Sequence, residues 1–267
     1  MIAAKRIYKR NSHNVFFKAM AGFGRALNRL YENRNHDIYS NGELSLIKKL
    51  SKLKPSVIID GGANIGKYSL IIHEFIPGAT IYSFEPVKKT FEELKENVGS
   101  IEKINPIEKG LYSDNCTREI NIFSSSTHSS LIDIQDLHKK SNKKQTVELV
   151  KGDDFMRNHQ INEVDLLKLD LEGAEYDAIM GFNEHIEKGK IKMIQFEYGQ
   201  VNILTRKLLA DFYEYFESKG YRVGKIYPKT VEFRKYKPKH EDFLGPNFVV
   251  VKETETELIK LLARKKY

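Results

Sequence analysis

The sequence predicts an α/β fold, a mostly parallel sheet with helices on both faces. Three observations predict it. From residue 57 onward, short apolar β-branched runs alternate with amphipathic stretches. The first run, Val57-Ile58-Ile59, ends in Asp60 and a glycine-rich turn that opens a helix. A later run, residues 164–169, sets Asp165 and Lys168 among apolar residues and leads into Asp170 and Glu172, charges that an inner strand tolerates only if they are paired or face a ligand.

The elements follow in order. Phe16, Met20, Phe23, Leu27 and Leu30 form one helical stripe, so residues 1–45 read as a basic amphipathic extension punctuated by Asn41-Gly42. Residues 43–53 form a short helix stopped by Pro55. Residues 57–59, 79–84 and 104–111 read as strands, separated by helices over 68–75 and 90–98. Pro106 weakens the start of the third strand. Residues 120–122 and 147–149 are short strands flanking a polar loop, 124–144. Loops of this length inside an α/β domain are more often functional than accidental. Strands over 164–169, 191–196, 221–227 and 247–251 complete the sheet. They are joined by helices over 174–182 and 204–219, the second closed by Gly220. The division is therefore 1–45 extension, 46–252 α/β domain and 253–267 tail helix.

Composition narrows the function. The 267 residues carry a net charge of +8, which first suggests an anionic partner. Residues 1–35 alone carry +7 and residues 252–267 carry +2, so the remainder is close to neutral. A nucleic-acid substrate is disfavoured on that account. The N-terminal helix instead suits docking on the core, a second subunit or a membrane surface. The single cysteine, Cys116, excludes an internal disulfide and a multi-cysteine zinc site. No apolar run approaches ~18 residues, and no signal-peptide pattern is present. The expected location is cytoplasmic, or peripheral at a membrane surface.

The turn Asp60-Gly61-Gly62-Ala63-Asn64-Ile65-Gly66 lies where open α/β sheets bind ligands. Glu85 ends the second strand, where a carboxylate can accept two hydrogen bonds from a ribose diol. Nicotinamide enzymes and S-adenosylmethionine enzymes share this layout. Asn64 stands where a dinucleotide fingerprint needs its second glycine. Asp60 would repel a pyrophosphate but suits a methionine ammonium. Both details favour S-adenosylmethionine. In Lys168-Leu169-Asp170-Leu171-Glu172-Gly173, strand periodicity puts Lys168, Asp170 and Glu172 on one face. A Lys168–Asp170 pair offsets part of the cost of burial, and the cluster reaches the same sheet edge as Asp60 and Glu85. Glu175 extends it.

These motifs together resemble the FkbM family of S-adenosylmethionine-dependent methyltransferases over about residues 55–252. The resemblance rests on Asp-Gly-Gly-Ala-Asn-Ile-Gly, Ser-Phe-Glu-Pro and the Lys-x-Asp-x-Glu-Gly segment in this order. Asp153-Asp154-Phe155, Phe196-Glu197 and Asn247 add to it. It implies a class I, Rossmann-like fold with seven strands, the last antiparallel, and O-methylation of a sugar or polyketide hydroxyl. It implies that Asp60, Gly61, Gly62, Asn64 and Gly66 hold the methionine end and that Glu85, with Pro86, holds the ribose. Ser113 and Asp114 would lie near the adenine, and Asp170 and Glu172 would face the methyl group and the acceptor.

Removing a proton from a sugar hydroxyl calls for a base. The candidates are Asp170, Glu172, Glu197 and His128, with Lys168 beside them. Paired carboxylates also suit a divalent metal, but no further ligands are evident. The rival readings are RNA ribose methylation and an inactive methyltransferase fold used as an interaction module. No Asn/Asp-Pro-Pro-aromatic or Pro-Cys motif of base methylation is present.

Overall fold

The computed structural model describes residues 9–10, 12–122, 129–130 and 143–263. The central sheet is built from β1 (Val57–Gly61), β2 (Thr80–Phe84), β3 (Ile104–Ile107), β8 (Leu166–Leu169), β9 (Met193–Glu197), β10 (Tyr221–Tyr227), β11 (Thr230–Phe233) and β12 (Asn247–Lys252). Its order is β3-β2-β1-β8-β9-β12-β10-β11. The pairs from β3 through β9 are parallel, β12 runs antiparallel to β9 and β10, and β11 is an antiparallel edge. This is the class I methyltransferase order with one strand more than the seven expected. The additional strand is the hairpin partner of β10.

Alternation along the strands creates two apolar layers. Ile59, Leu167, Leu169, Ile194 and Phe196 pack on one side against Phe155, Phe182, Phe212 and Phe216. Their neighbours Ile58, Ile81, Leu166, Met193 and Val249 pack on the other against Leu46, Ile47, Ile72, Leu94 and Leu262. Apolar side chains on successive residues are what a sheet covered on both faces requires. The covering helices are α2 (Glu43–Leu50), α3 (Lys67–Phe75), α4 (Lys88–Val98), α5 (Gly152–Asn158), α6 (Glu175–Gly181), α7 (Asn183–Glu187), α8 (Val201–Thr205), α9 (Leu209–Ser218) and α10 (Thr256–Leu262). A second sheet, β4-β7-β5-β6, joins β4 (Gly110–Tyr112), β5 (Cys116–Ile122), β6 (Ser129–Ser130) and β7 (Lys143–Lys151).

The run 104–111 is thus two strands rather than one. It leaves the central sheet after Ile107 and enters the second sheet at Gly110. Pro106 is tolerated because β3 is an edge strand with no further neighbour for its missing N–H. The helix expected over 204–219 is α8 and α9, interrupted where Arg206 adopts φ +57°. Strands β5 and β7 outrun their apolar centres because their remaining side chains are largely exposed.

Helix α1 (Val15–Tyr31) matches the N-terminal stripe, and Asn14 caps it by accepting from Phe17 N at 3.0 Å. None of its residues is buried. Contact with the sheet begins just after it. Asn33 donates from Nδ2 to Ile226 O at 3.0 Å, and α2 packs its Leu46, Ile47 and Leu50 into the second layer.

Candidate active site

Four strand ends converge here. The turn after β1 passes under the segment after β8, and the approach is too close for a side chain. Gly62 has φ +75°, and a Cβ there would lie 1.9 Å from Asp170 O. At Gly66, φ is +88° and a Cβ would lie 2.7 Å from Leu94 Cδ1. Glycine at both positions keeps the turn open and lets helix α3 start tightly against α4. Asn64, at φ +51°, accepts from Ile65 N with its own side chain. Gly61 sits between β2 and β8 as the last residue of β1.

Asp60 is completely buried. Its Oδ2 accepts from Ser69 Oγ at 2.6 Å, and Ser69 in turn contacts Ser83 Oγ at 2.7 Å. Asp60 Oδ1 lies 3.3 Å from Lys168 Nζ and has no hydrogen-bond partner among the described residues. Lys168 Nζ also lies 3.4 Å from Asp170 Oδ2. It sits over the Tyr68 ring, 5.1 Å from its centroid. Burial opposes the ammonium charge, but Asp60, Asp170 and Glu43 outweigh it and raise the Lys168 pKa. Lys168 is thus a buried bridge between the carboxylate of Asp60 on β1 and that of Asp170 just past the end of β8.

Glu85 is buried at the tip of β2, and its Oε1 accepts from Val87 N at 2.9 Å. Burial raises its pKa to about 7 against the opposing N–H bonds from Val87 and Asn64. Pro86 lies against the start of β4, 3.5 Å from where a Gly110 Cβ would stand. Ser113 and Asp114 follow β4 and bond to each other, Oγ to Oδ2, at 2.9 Å. They are partly or fully exposed, and none of their described bonds reaches the Asp60–Lys168 cluster.

The acidic segment is a turn rather than a continued strand. β8 stops at Leu169, and Glu172 adopts φ +50°. Strand periodicity therefore does not place Glu172 beside Lys168. The turn is held by Glu175, whose carboxylate accepts from Leu171 N at 2.8 Å and Gly173 N at 3.0 Å. Burial raises Glu175 to about 7 despite these bonds. Burial, then Asp170 and Glu175, raise Glu172 to about 8. Glu197 at the tip of β9 is also raised, by burial first and then by the carboxylates around it. Glu172, Glu175 and Glu197 line one pocket of about 170 Å³, with Arg34 and His36 on its other wall. His36 Nδ1 lies 3.9 Å from Glu197 Oε1.

Beneath the cluster runs a network the sequence reading missed. Gln195 donates from Nε2 to Glu43 Oε1 at 2.6 Å and accepts from the Tyr68 hydroxyl at 2.9 Å. Asn41 Nδ2 donates to Glu43 Oε2 at 2.6 Å. The available signal was Gln195 itself, a polar residue inside an apolar strand that has to find partners. Tyr68 and Tyr198 are both buried, and the Tyr198 hydroxyl bonds to Glu241. Asp153 caps α7, accepting from Glu184 N and His185 N, each at 3.1 Å. His128 lies outside the described residues.

Two observations test which groups the site suits. A cradle that a Cβ would fill at Gly62, beside the buried Glu85, fits S-adenosylmethionine. A divalent cation fits poorly. Asp170 is paired with Lys168 and Glu175 is taken up by backbone N–H groups, and no three His, Cys, Asp or Glu among the described residues converge as ligands.

Comparison with known proteins agrees with this layout. The model of the methyltransferase FkbM domain matches residues 60–223. Methyltransferase sdnD of Sordaria araneosa is 27% identical over 156 residues, 48% of this chain and 60% of that protein. Hexuronic acid methyltransferase AglP of Haloferax volcanii is 25% identical over 174 residues, 64% of this chain and 69% of that protein. The crystal structure of an FkbM methyltransferase from Methylobacillus flagellatus KT superposes with TM-score 0.48 at 15% identity. It covers 74% of this chain and 44% of that one. The glycine cradle, the buried Glu85 and the acidic turn all fall inside the matched domain, and the chain belongs to the FkbM methyltransferase family.

Proposed function

We propose that this protein transfers a methyl group from S-adenosylmethionine to a hydroxyl of a sugar or related small molecule. The observation that carries the reading is the junction of Gly62 with Asp170. A cofactor cradle closed to any side chain is fused there to a pocket of proton-accepting carboxylates. When bound, the cofactor supplies the electrophilic methyl group. Glu85 accepts hydrogen bonds from the ribose hydroxyls, and the turn 61–66 receives the methionine end. Asp60 acts through Lys168, fixing the strands that hold the cradle. Glu172 is the proton acceptor. Its carboxyl lines the pocket, and a pKa near 8 suits exchange with a hydroxyl at working pH. Asp170 keeps Lys168 in place. Ser113 and Asp114 border the adenine end. A sugar acceptor draws support from the name of the relative AglP.

The test is a screen of nucleotide sugars and glycans with methyl-labelled S-adenosylmethionine. Label in a sugar hydroxyl supports the assignment; label only in RNA, or in no acceptor, refutes it. Asp170→Asn should reduce turnover on the order of a hundredfold while cofactor affinity changes little. Unchanged turnover would remove Asp170 from the site.

A further inference from the structure

No residue of helix α1 is buried among the described residues. Phe16 is 66% exposed, Phe23 60% and Leu30 79%, and Met20 and Leu27 complete the same stripe. Isolated helices of about this length are marginal in water, and most gain their stability by burying an apolar face. The opposite face carries Lys18, Arg25 and Arg29, and the helix holds no acidic residue.

At its C-terminal end the helix meets a pocket of about 680 Å³. Asn28, Tyr31 and Glu32 form one wall, and the segment after β11 forms the other. That segment contributes Arg234, Lys235, Lys237 and Lys239. The acidic groups of the pocket already have cationic partners. Glu32 lies 2.6 Å from the buried Lys225, Asp242 lies 3.8 Å from it, and Glu232 lies 3.6 Å from Arg234. Lys235, Lys237 and Lys239 are exposed and have no ion-pair partner among the described residues.

An exposed apolar stripe on a helix whose C-terminal end borders a pocket lined by three lysines without ion-pair partners among the described residues matches an anionic lipid surface. Acyl chains meet the stripe and phosphate headgroups meet the cations. A second copy of the chain matches less well, because residues 1–35 carry +7 and would face their own like charge. We propose that α1 and the lysine pocket form one docking site for an anionic phospholipid membrane. The lipid phosphate is held by Lys235, Lys237 and Lys239, and Phe16, Phe23 and Leu27 enter the acyl boundary. The site is separate from the methyl-transfer pocket and does not depend on that assignment.

The experiment is co-sedimentation of the full chain with vesicles of phosphatidylcholine alone and with added phosphatidylglycerol. Binding is expected only to the anionic vesicles, and high salt should weaken it. The triple variant Lys235→Gln, Lys237→Gln, Lys239→Gln should lose on the order of tenfold or more in vesicle affinity. Phe16→Ser with Phe23→Ser should lose a similar factor. All five positions are exposed, and unchanged melting curves would confirm intact folding. Inorganic phosphate serves as the free-anion probe. Saturable phosphate binding abolished by the triple lysine variant, with no vesicle binding, would overturn the lipid assignment. So would sedimentation of the free protein as a dimer that Phe23→Asp dissociates, with no vesicle binding.

Discussion

Lys168 shows how a charge can belong to an apolar strand. Its ammonium touches Asp60 and Asp170, and removing it would leave Asp60 buried with an uncompensated charge. Lys168→Met is expected to cost about 3–5 kcal/mol of stability, measured by denaturant unfolding. A loss below about 1 kcal/mol would mean that the bridge contributes little. Glu172, Glu175 and Glu85 carry the opposite burden. Their pKa values are raised above the ordinary carboxylate value, so the folded protein binds more protons than the unfolded chain between about pH 4.5 and 8. Their contribution is fullest below the unfolded pKa and is lost as pH rises through 7 and 8. The ligand-free Tm should therefore fall over that window, and Glu172→Gln should flatten the fall. An identical slope in the variant would contradict the assignment. Asp60, Glu85, Lys168 and Asp170 were legible in the sequence because charges at strand tips break an apolar pattern. Glu43 was not, because it reads as an ordinary first-turn helix acid. Only tertiary packing brings it to Gln195.

At the scale of elements, the β1 and β8 turns work as a pair. Each needs what the other leaves free, and Gly62 is the point of contact. Gly62→Ala combines a positive φ with a Cβ 1.9 Å from Asp170 O. The backbone strain alone is about 1–3 kcal/mol. The variant should lose cofactor binding together with stability, read by calorimetry and thermal melting. Wild-type affinity would show that the cradle is not where the cofactor lies. Periodicity located most strands and helices but misjudged three boundaries for physical reasons. The expected third strand changes sheets after Ile107, the 204–219 helix is interrupted at Arg206, and Glu172 leaves the strand period through a left-handed backbone. Helices α5 and α7 are short, and the side chain of Asp153 that joins them is a long-range cap with no local periodicity to reveal it.

Across the whole molecule, charge and chemistry are separated. The acidic pocket sits beyond the ends of β8 and β9. The basic residues gather on α1 and the lysine segment after β11. The net charge of +8 therefore resides mainly in residues 1–35, which carry +7, rather than around the acidic pocket. Sheet order follows the methyltransferase pattern closely enough that the fold was readable before any coordinates. The added β11 was not, because Thr230–Phe233 is a four-residue edge strand that alternates without a strong apolar run.

If the glycine turn and Glu85 bind S-adenosylmethionine, the product S-adenosylhomocysteine should bind there too. Calorimetric titration of S-adenosylhomocysteine into the wild-type chain and into Glu85→Ala tests it most directly. Saturable binding to the wild type and a loss of about 1–3 kcal/mol in the variant are expected. No binding to the wild type, or equal affinity in both, would contradict it.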